Sequence, residues 1–253
     1  MKVRLSEECK KKMAANSADH VKEFENCIGT IVPKPDNVKD FPEVNVCWEP
    51  SNLKYLYLIE DLDFIQEEIP GITILKYENS MDEVNNSKGP VIFLAGPTVR
   101  GNQLHLISWR YEAVDFFAKI GFEGTLVIPE FSDRRMSDKD RPELPLWEYN
   151  GLKRADCILF WIPRTRELIA LTTNWEHGLW VGREMNKVIL GYPALGSVNS
   201  FRNSYIDIMW NELHRELGIK PVVYNTLEGT IFASIERAKK RNSWLNRLKK
   251  RKF

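Results

Sequence analysis

The 253-residue sequence predicts an α/β protein, with a doubly wound parallel sheet of Rossmann/flavodoxin-like type preceded by a small SH3-like β-barrel domain. Three observations predict it. From Pro90 onward, short apolar runs alternate with segments of helical periodicity, the pattern of a parallel sheet covered on both faces. The run VIFLAGPTVRG (residues 91–101) breaks into a Gly/Pro turn, as a buried strand does where it gives way to a loop. Before Ile65 the runs are short, alternate with period two and are punctuated by Gly, Pro and Asn, which is the texture of antiparallel strands.

In chain order, residues 6–23 are polar and lysine-rich and predict one short helix. Residues 27–32, 44–50 and 53–62 predict the strands of the barrel, with a Pro-rich turn at 33–36. A barrel of this kind serves either as a spacer or oligomer contact, or as a docking site for a peptide or nucleic acid. The β-rich domain is expected to end near residue 65. Residues 66–89 read as a linker, because one apolar stretch at 72–75 is followed by the polar ENSMDEVNNSKG.

The α/β domain is expected over residues 90–235. SWRYEAVDFFAK (108–119) has apolar residues at helical spacing, with Ser108 as N-cap. TLVIP (125–129) is a short buried strand, and 131–145 is a polar, Pro-flanked arch over the site. Residues 146–154 are helical and lead into ADCILFWIP (155–163), a second buried strand. A helix over 175–186, a strand over 187–193, a helix over 205–217, a strand at 221–224 and a helix from Leu227 complete the pattern. Residues 236–253 form a basic tail.

Composition narrows the function. A hydrophobic fraction of 43% supports a proper core, and 36 Lys+Arg against 35 Asp+Glu leaves a net charge of +1, so no global field recruits nucleic acid. The basic residues do crowd the C-terminus, at Arg237, Lys239, Lys240, Arg241, Arg247 and 249–252, so that segment either binds nucleic acid or an acidic partner or faces water. Trp244, Leu245 and Leu248 give it an amphipathic end. Four separated cysteines, with no CxxC, argue against a zinc site and a disulfide framework. The opening MKVRLSEECKKK has no apolar signal core, and no run approaches the ~18 apolar residues that span a bilayer. A cytoplasmic protein with no membrane partner is expected.

Two glutamates carry the candidate chemistry. Glu176 follows Thr172, Thr173 and Asn174, all good N-cap residues, and is expected in the first helical turn, where the dipole favours an ionised carboxylate. Such a group is a helix cap or a nucleophile. Glu148 lies on the helix leading into CILFWIP, eight residues before Asp156, and alone reads as a solvated helix residue. Together the two flank one strand, whose carboxyl end is where open α/β sheets bind ligands. Retaining glycosyl transfer uses two carboxyl groups roughly 5 Å apart.

The remaining candidates are binding residues. Gly96, Thr98, Arg100 and Gly101 make either an anion site of backbone N–H groups and a guanidinium, or a simple chain reversal. Arg110 joins such a clamp or faces water, and Arg134 and Arg135 are expected to face water. Asn174 is placed with the binding set. Asp156 is expected to close a helix–strand turn, and His177 to be structural or at the rim. Trp161 and Trp175 read as core, while Trp147 is kept as a base-stacking candidate.

With these positions in view, residues from Pro90 to about Glu228 resemble the nucleoside 2-deoxyribosyltransferase-like family. The resemblance is carried by IFLAGP, SWR, LWEYNGLKRADCILFWIP and TTNWEHG. It implies a doubly wound α/β fold without cofactor or metal, and cleavage of the N-glycosidic bond of a (deoxy)nucleoside or nucleotide, the sugar passing to another base or to water. It places Glu176 at the nucleophile, Glu148 at the position of an aspartate acid/base, and Thr98, Arg100 and Gly101 on the phosphate-contacting turn of the deoxynucleoside 5′-monophosphate N-hydrolase branch. It also implies a homo-oligomer. Three departures stand against it. Phe93 replaces a tyrosine that contacts the nucleophile, residues 164–173 lack the aspartate that handles the base, and the basic C-terminus offers no carboxylate to a neighbouring site. They leave two alternatives, a nucleotide-binding module without turnover and an enzyme that hydrolyses the nicotinamide bond of NAD.

Overall fold

The computed structural model describes residues 2–7, 9–11, 27–32, 43–49, 51, 54–58, 62–65, 68–99, 103, 105–133, 135–136, 141–194 and 203–250. The chain divides into two compact units, one built mainly from residues 1–68 with 99–112 and 132–137, the other from 69–98, 113–131 and 138–253.

The first unit holds β1 (Lys2–Leu5), β2 (Gly29–Val32), β3 (Glu43–Trp48), β4 (Lys54–Leu58) and β5 (Leu62–Ile65) in the order β4-β3-β2-β1-β5. Every pairing is antiparallel, and β5 returns beside β1. Strands β1 to β4 thus form an antiparallel meander. β1 is an addition to the expected strands, since four residues beside a lysine-rich stretch carry too little period for sequence reading. Val44, Val46 and Trp48 alternate on β3 and point to one face, where they pack with Val3, Leu5, Tyr57 and Leu62. Gly29 is required by close approach, because a Cβ there would overlap Val46 and Trp48. The turn at 33–36 and most of the helix expected over 6–23 lie outside the described residues.

The second unit carries β6 (Ile72–Leu75), β7 (Val91–Ala95), β8 (Gly124–Val127), β9 (Cys157–Trp161) and β10 (Val188–Gly191), all parallel, in the order β10-β9-β7-β8-β6. Its helices are α1 (Met81–Asn85), the body of α2 (Trp109–Lys119), α3 (Leu144–Arg154), α4 (Leu171–Glu184), α5 (Ser204–Glu216) and α6 (Leu227–Lys250). Strand alternation sends Val91, Phe93 and Ala95, Ile158 and Phe160, and Val188 and Leu190 to one face. There they meet Val84 of α1, Trp147 and Leu152 of α3, Trp180 of α4 and Trp210 of α5. On the other face α6 packs against β7, β9 and β10, and Phe232 meets Phe116 of α2 edge-on at 5.5 Å. The sheet is doubly wound.

Three expectations change. Residues 66–89 are no linker: Ile72–Leu75 is the edge strand of the sheet, and Ser80 opens α1 with a capping box to Glu83. An edge strand pairs on one side only, so it is short and has polar neighbours. Residues 221–224 form no strand; Tyr224 makes one parallel bridge to Gly191, and Pro221 has no N–H to give. The basic tail begins as the packed second half of α6, with Ile235 and Ala238 buried.

Candidate functional site

The topology locates the crevice. From β7 the chain moves to β8 on one side and then returns to β9 on the other, so the strand order reverses between β7 and β9. Open α/β sheets bind ligands at the carboxyl ends of the strands bordering such a point. Here those ends are Ala95, followed by Gly96, Pro97 and Thr98, and Trp161, followed by Ile162, Pro163 and Arg164.

Gly96 adopts φ 153°, which a side chain disfavours, so this glycine is what lets β7 turn sharply into the Pro97–Thr98 segment. Gly96 is buried and Thr98 half-buried. Arg100 and Gly101 lie outside the described residues, as does Arg134. Arg110 belongs to the first unit, 1% exposed, its guanidinium 4.8 Å from the Trp109 ring centroid. Ser108 caps α2 as expected, accepting the Arg110 N–H at 3.3 Å. Arg135 does not simply face water, because it pairs with Asp63 at 2.8 Å.

Glu148 is half-buried in the first half of α3, which runs back from the carboxyl edge of the sheet to the start of β9. Its Oε1 accepts the hydroxyl of Tyr77. Tyr77 follows Leu75, whose register partner is Val127, the last residue of β8. The bond therefore fixes Glu148 at the carboxyl edge. Trp147, 5% exposed, donates its indole N–H to the Asn79 carbonyl at 2.9 Å and packs edge-on against Tyr77 at 5.1 Å. That burial corrects the base-stacking expectation, since both the ring and its polar tip serve the α3 contact.

Glu176 is half-buried on α4. The helix starts at Leu171, not Trp175, so Glu176 stands in the second turn. The N-cap is Ala170 in the left-handed region (φ 57°), with no side-chain cap bond, and Thr172, Thr173 and Asn174 are all inside the helix. The dipole effect fades within one turn and gives Glu176 less support than expected. Thr173, His177 and Trp180 form the buried stripe of α4, and His177 sits edge-on to Phe160 near the end of β9 at 5.2 Å. Glu176 flanks that stripe, level with the carboxyl end of β9. Asn174 Oδ1 is engaged by Arg164, a residue the sequence reading passed over. Burial lowers the Arg164 pKa, and its Nε is buried without a partner.

The surroundings are structural. His177 is 4% exposed, and burial pulls its pKa down to about 4, so the ring is neutral at physiological pH. Trp161 is buried as expected, whereas Trp175 is 67% exposed. Lys187 donates to the carbonyls of Leu152 and Lys153 at 3.4 and 2.8 Å, closing the end of α3. Arg237 donates to the Asn186 carbonyl, and Arg241 pairs with Glu184 at 2.9 Å, so the first basic residues of α6 tie down the chain before β10. Among the described residues no three His, Cys, Asp or Glu side chains gather to hold a metal ion, and no described helix is long and apolar enough to cross a membrane.

The doubly wound sheet thus carries one glutamate on the helix that enters β9 and another on the helix that leaves it. Residues 89–193 match the family model described as nucleoside 2-deoxyribosyltransferase like, in agreement with the resemblance carried by the motifs. That span runs from just before β7 through β10 and includes both glutamates, whereas Tyr77 precedes it. No curated protein matches the chain.

Proposed function

We propose that the α/β unit cleaves or transfers the N-glycosidic bond of a (deoxy)nucleoside or its 5′-monophosphate. The observation that carries the reading is the pair of half-buried glutamates, Glu148 on the helix entering β9 and Glu176 on the helix leaving it, inside the segment that matches the family. Glu176 attacks the anomeric carbon. As the C1′–N bond breaks and the C1′–O bond to Glu176 forms, Glu148 gives its proton to the departing base. Water or a second base then attacks C1′, returns a proton to Glu148 and frees Glu176. The Gly96–Thr98 turn holds the 5′ end or its phosphate through backbone N–H groups. Arg164 orients Asn174 at the mouth of the site.

Phe93 favours one competing reading, a unit that binds a nucleotide without turning it over. It is 1% exposed, stands where the family carries a tyrosine, and brings no hydroxyl to a nucleophile. Chromatography of a panel of nucleosides, 5′-monophosphates and NAD, incubated with wild type and with Glu176→Gln, separates the readings. Free base from wild type alone supports glycosidic cleavage and names the substrate. Intact ligand that stabilises both proteins thermally supports the binding module.

A further inference from the structure

Resting on that reaction, we infer that Tyr77 is the positioning residue for Glu148. Its hydroxyl donates to Oε1. With Oε1 occupied, Oε2 is the oxygen left to carry the proton to the base. Phe93 supplies no hydroxyl from the central strand, so the hydroxyl at the candidate acid/base comes from the segment after β6, outside the span that matches the family.

The surroundings of Tyr77 are those of a support built to hold one geometry. The side chain is 3% exposed, between Phe131 at 5.0 Å and Trp147 at 5.1 Å, centroid to centroid. Its N–H donates to the Glu130 carbonyl at 3.3 Å. The turn around it is closed twice, by Lys76 N–H to Asn79 Oδ1 at 2.8 Å and Asn79 N–H to the Lys76 carbonyl at 2.9 Å. The Asn79 carbonyl then accepts the indole of Trp147, the residue before Glu148. Consecutive residues of α3 are thus bonded to one turn. The Trp147 bond ties the body of α3 to the turn; the Tyr77 bond acts on the Glu148 carboxylate itself. A group that must deliver a proton along one direction gains from a carboxylate held in one rotamer.

The test compares two probes, 2′-deoxyguanosine 5′-monophosphate and its 7-methyl derivative, whose base leaves without needing an added proton. In the full chain, Tyr77→Phe lowers kcat for the unmethylated probe about tenfold, part of the roughly 10²–10⁴ that a general acid supplies. KM is unchanged, and in a single turnover, which reads base departure alone, the 7-methyl probe releases its base at the wild-type rate. In a Glu148→Gln background, Tyr77→Phe has no further effect, because the two act as one unit. 4-Aminophenylalanine at position 77 keeps ring and donor and restores the rate, which also keeps the test available if Tyr77→Phe folds poorly. Equal slowing of both probes, or losses that add in the double variant, makes Tyr77 a fold contact and overturns the inference. If Glu148→Gln slows the unmethylated probe and Tyr77→Phe does not, the reaction stands and the inference falls. If wild type releases neither guanine nor 7-methylguanine from these probes, and no base from any nucleoside or 5′-monophosphate of the panel, both fall.

Discussion

Asp156 Oδ2 accepts the backbone N–H of Val91 at 2.9 Å, while the Asp156 N–H donates to the Val91 carbonyl at 2.8 Å. The two residues stand at the amino ends of β9 and β7, the strands that border the switch point. A slip of one residue would turn Phe93 and Phe160 to the wrong face, so this clamp sets the register on which the opposite, ligand-facing end depends. Asn242 of α6 also reaches Asp156 Oδ2, at 3.4 Å.

Asp156→Ala is expected to cost about 2–3 kcal/mol, because a buried charged acceptor is removed and the Val91 N–H is left without it. Urea unfolding followed by tryptophan fluorescence measures this. A loss below about 0.5 kcal/mol, the range of an ordinary surface substitution, would show the clamp to be dispensable.

Gly151 lets α3 lie on the sheet. A Cβ there would stand 2.9 Å from Phe93 Cε2 and 3.4 Å from Val127 Cγ1. Gly151→Ala therefore destabilises by about 1–2 kcal/mol, since overpacking outweighs the gain in helix propensity. Combining it with Phe93→Leu restores part of the loss. Strictly additive losses in the pair would count against the contact.

Stability should depend on pH through His177. Burial lowers its pKa from 6.5 to about 4. The unfolded chain takes up this proton near pH 6.5 and the folded chain only near pH 4, so unfolding binds a proton between those values. The contribution of the neutral ring is complete above pH 6.5 and is lost as pH falls toward 4, by up to about 1.4 kcal/mol per unit. Between pH 7.5 and 5, wild type should lose ~2 kcal/mol more than His177→Phe. Parallel curves for the two proteins would remove His177 as the cause.

Cys157 is fully enclosed, and its thiol is pushed up to about 12, chiefly by burial. Iodoacetamide at pH 8 should label the partly exposed Cys27 and Cys47 and spare Cys157 until denaturant is added. Peptide mapping by mass spectrometry reads this directly, and rapid labelling of Cys157 in native protein would contradict the burial.

Much of the α/β fold is legible in the chain, because VIFLA and CILFW are buried on both faces and so read as continuous apolar runs. Edge elements are less legible. ITIL carries the same β-branched residues, but with one neighbouring strand and a polar helix after it, its membership in the sheet is decided by pairing with β8, 52 residues further along (Ile72 to Gly124). The start of α4 differs from the expected one for a related reason. Three good N-cap residues predict an entry near Trp175, yet Thr173 lies in the buried stripe, and packing carries the helix back to an uncapped Ala170. Local capping contributes about 1 kcal/mol, and burial of a helix face outweighs it.

By itself the sequence determined the doubly wound class and the two glutamates that flank one strand. Periodicity and residue type act over a few positions, and a local pattern is enough to read them. Tertiary structure decided which hydroxyl meets Glu148, that Trp147 and Phe93 are enclosed, that Asn174 is engaged by Arg164, and that the basic C-terminal segment begins as a packed helix. Tyr77 and Glu148 are 71 positions apart. Only the pairing of β6 with β8 and the seating of α3 on the sheet bring them together, and nothing in either local sequence carries that meeting.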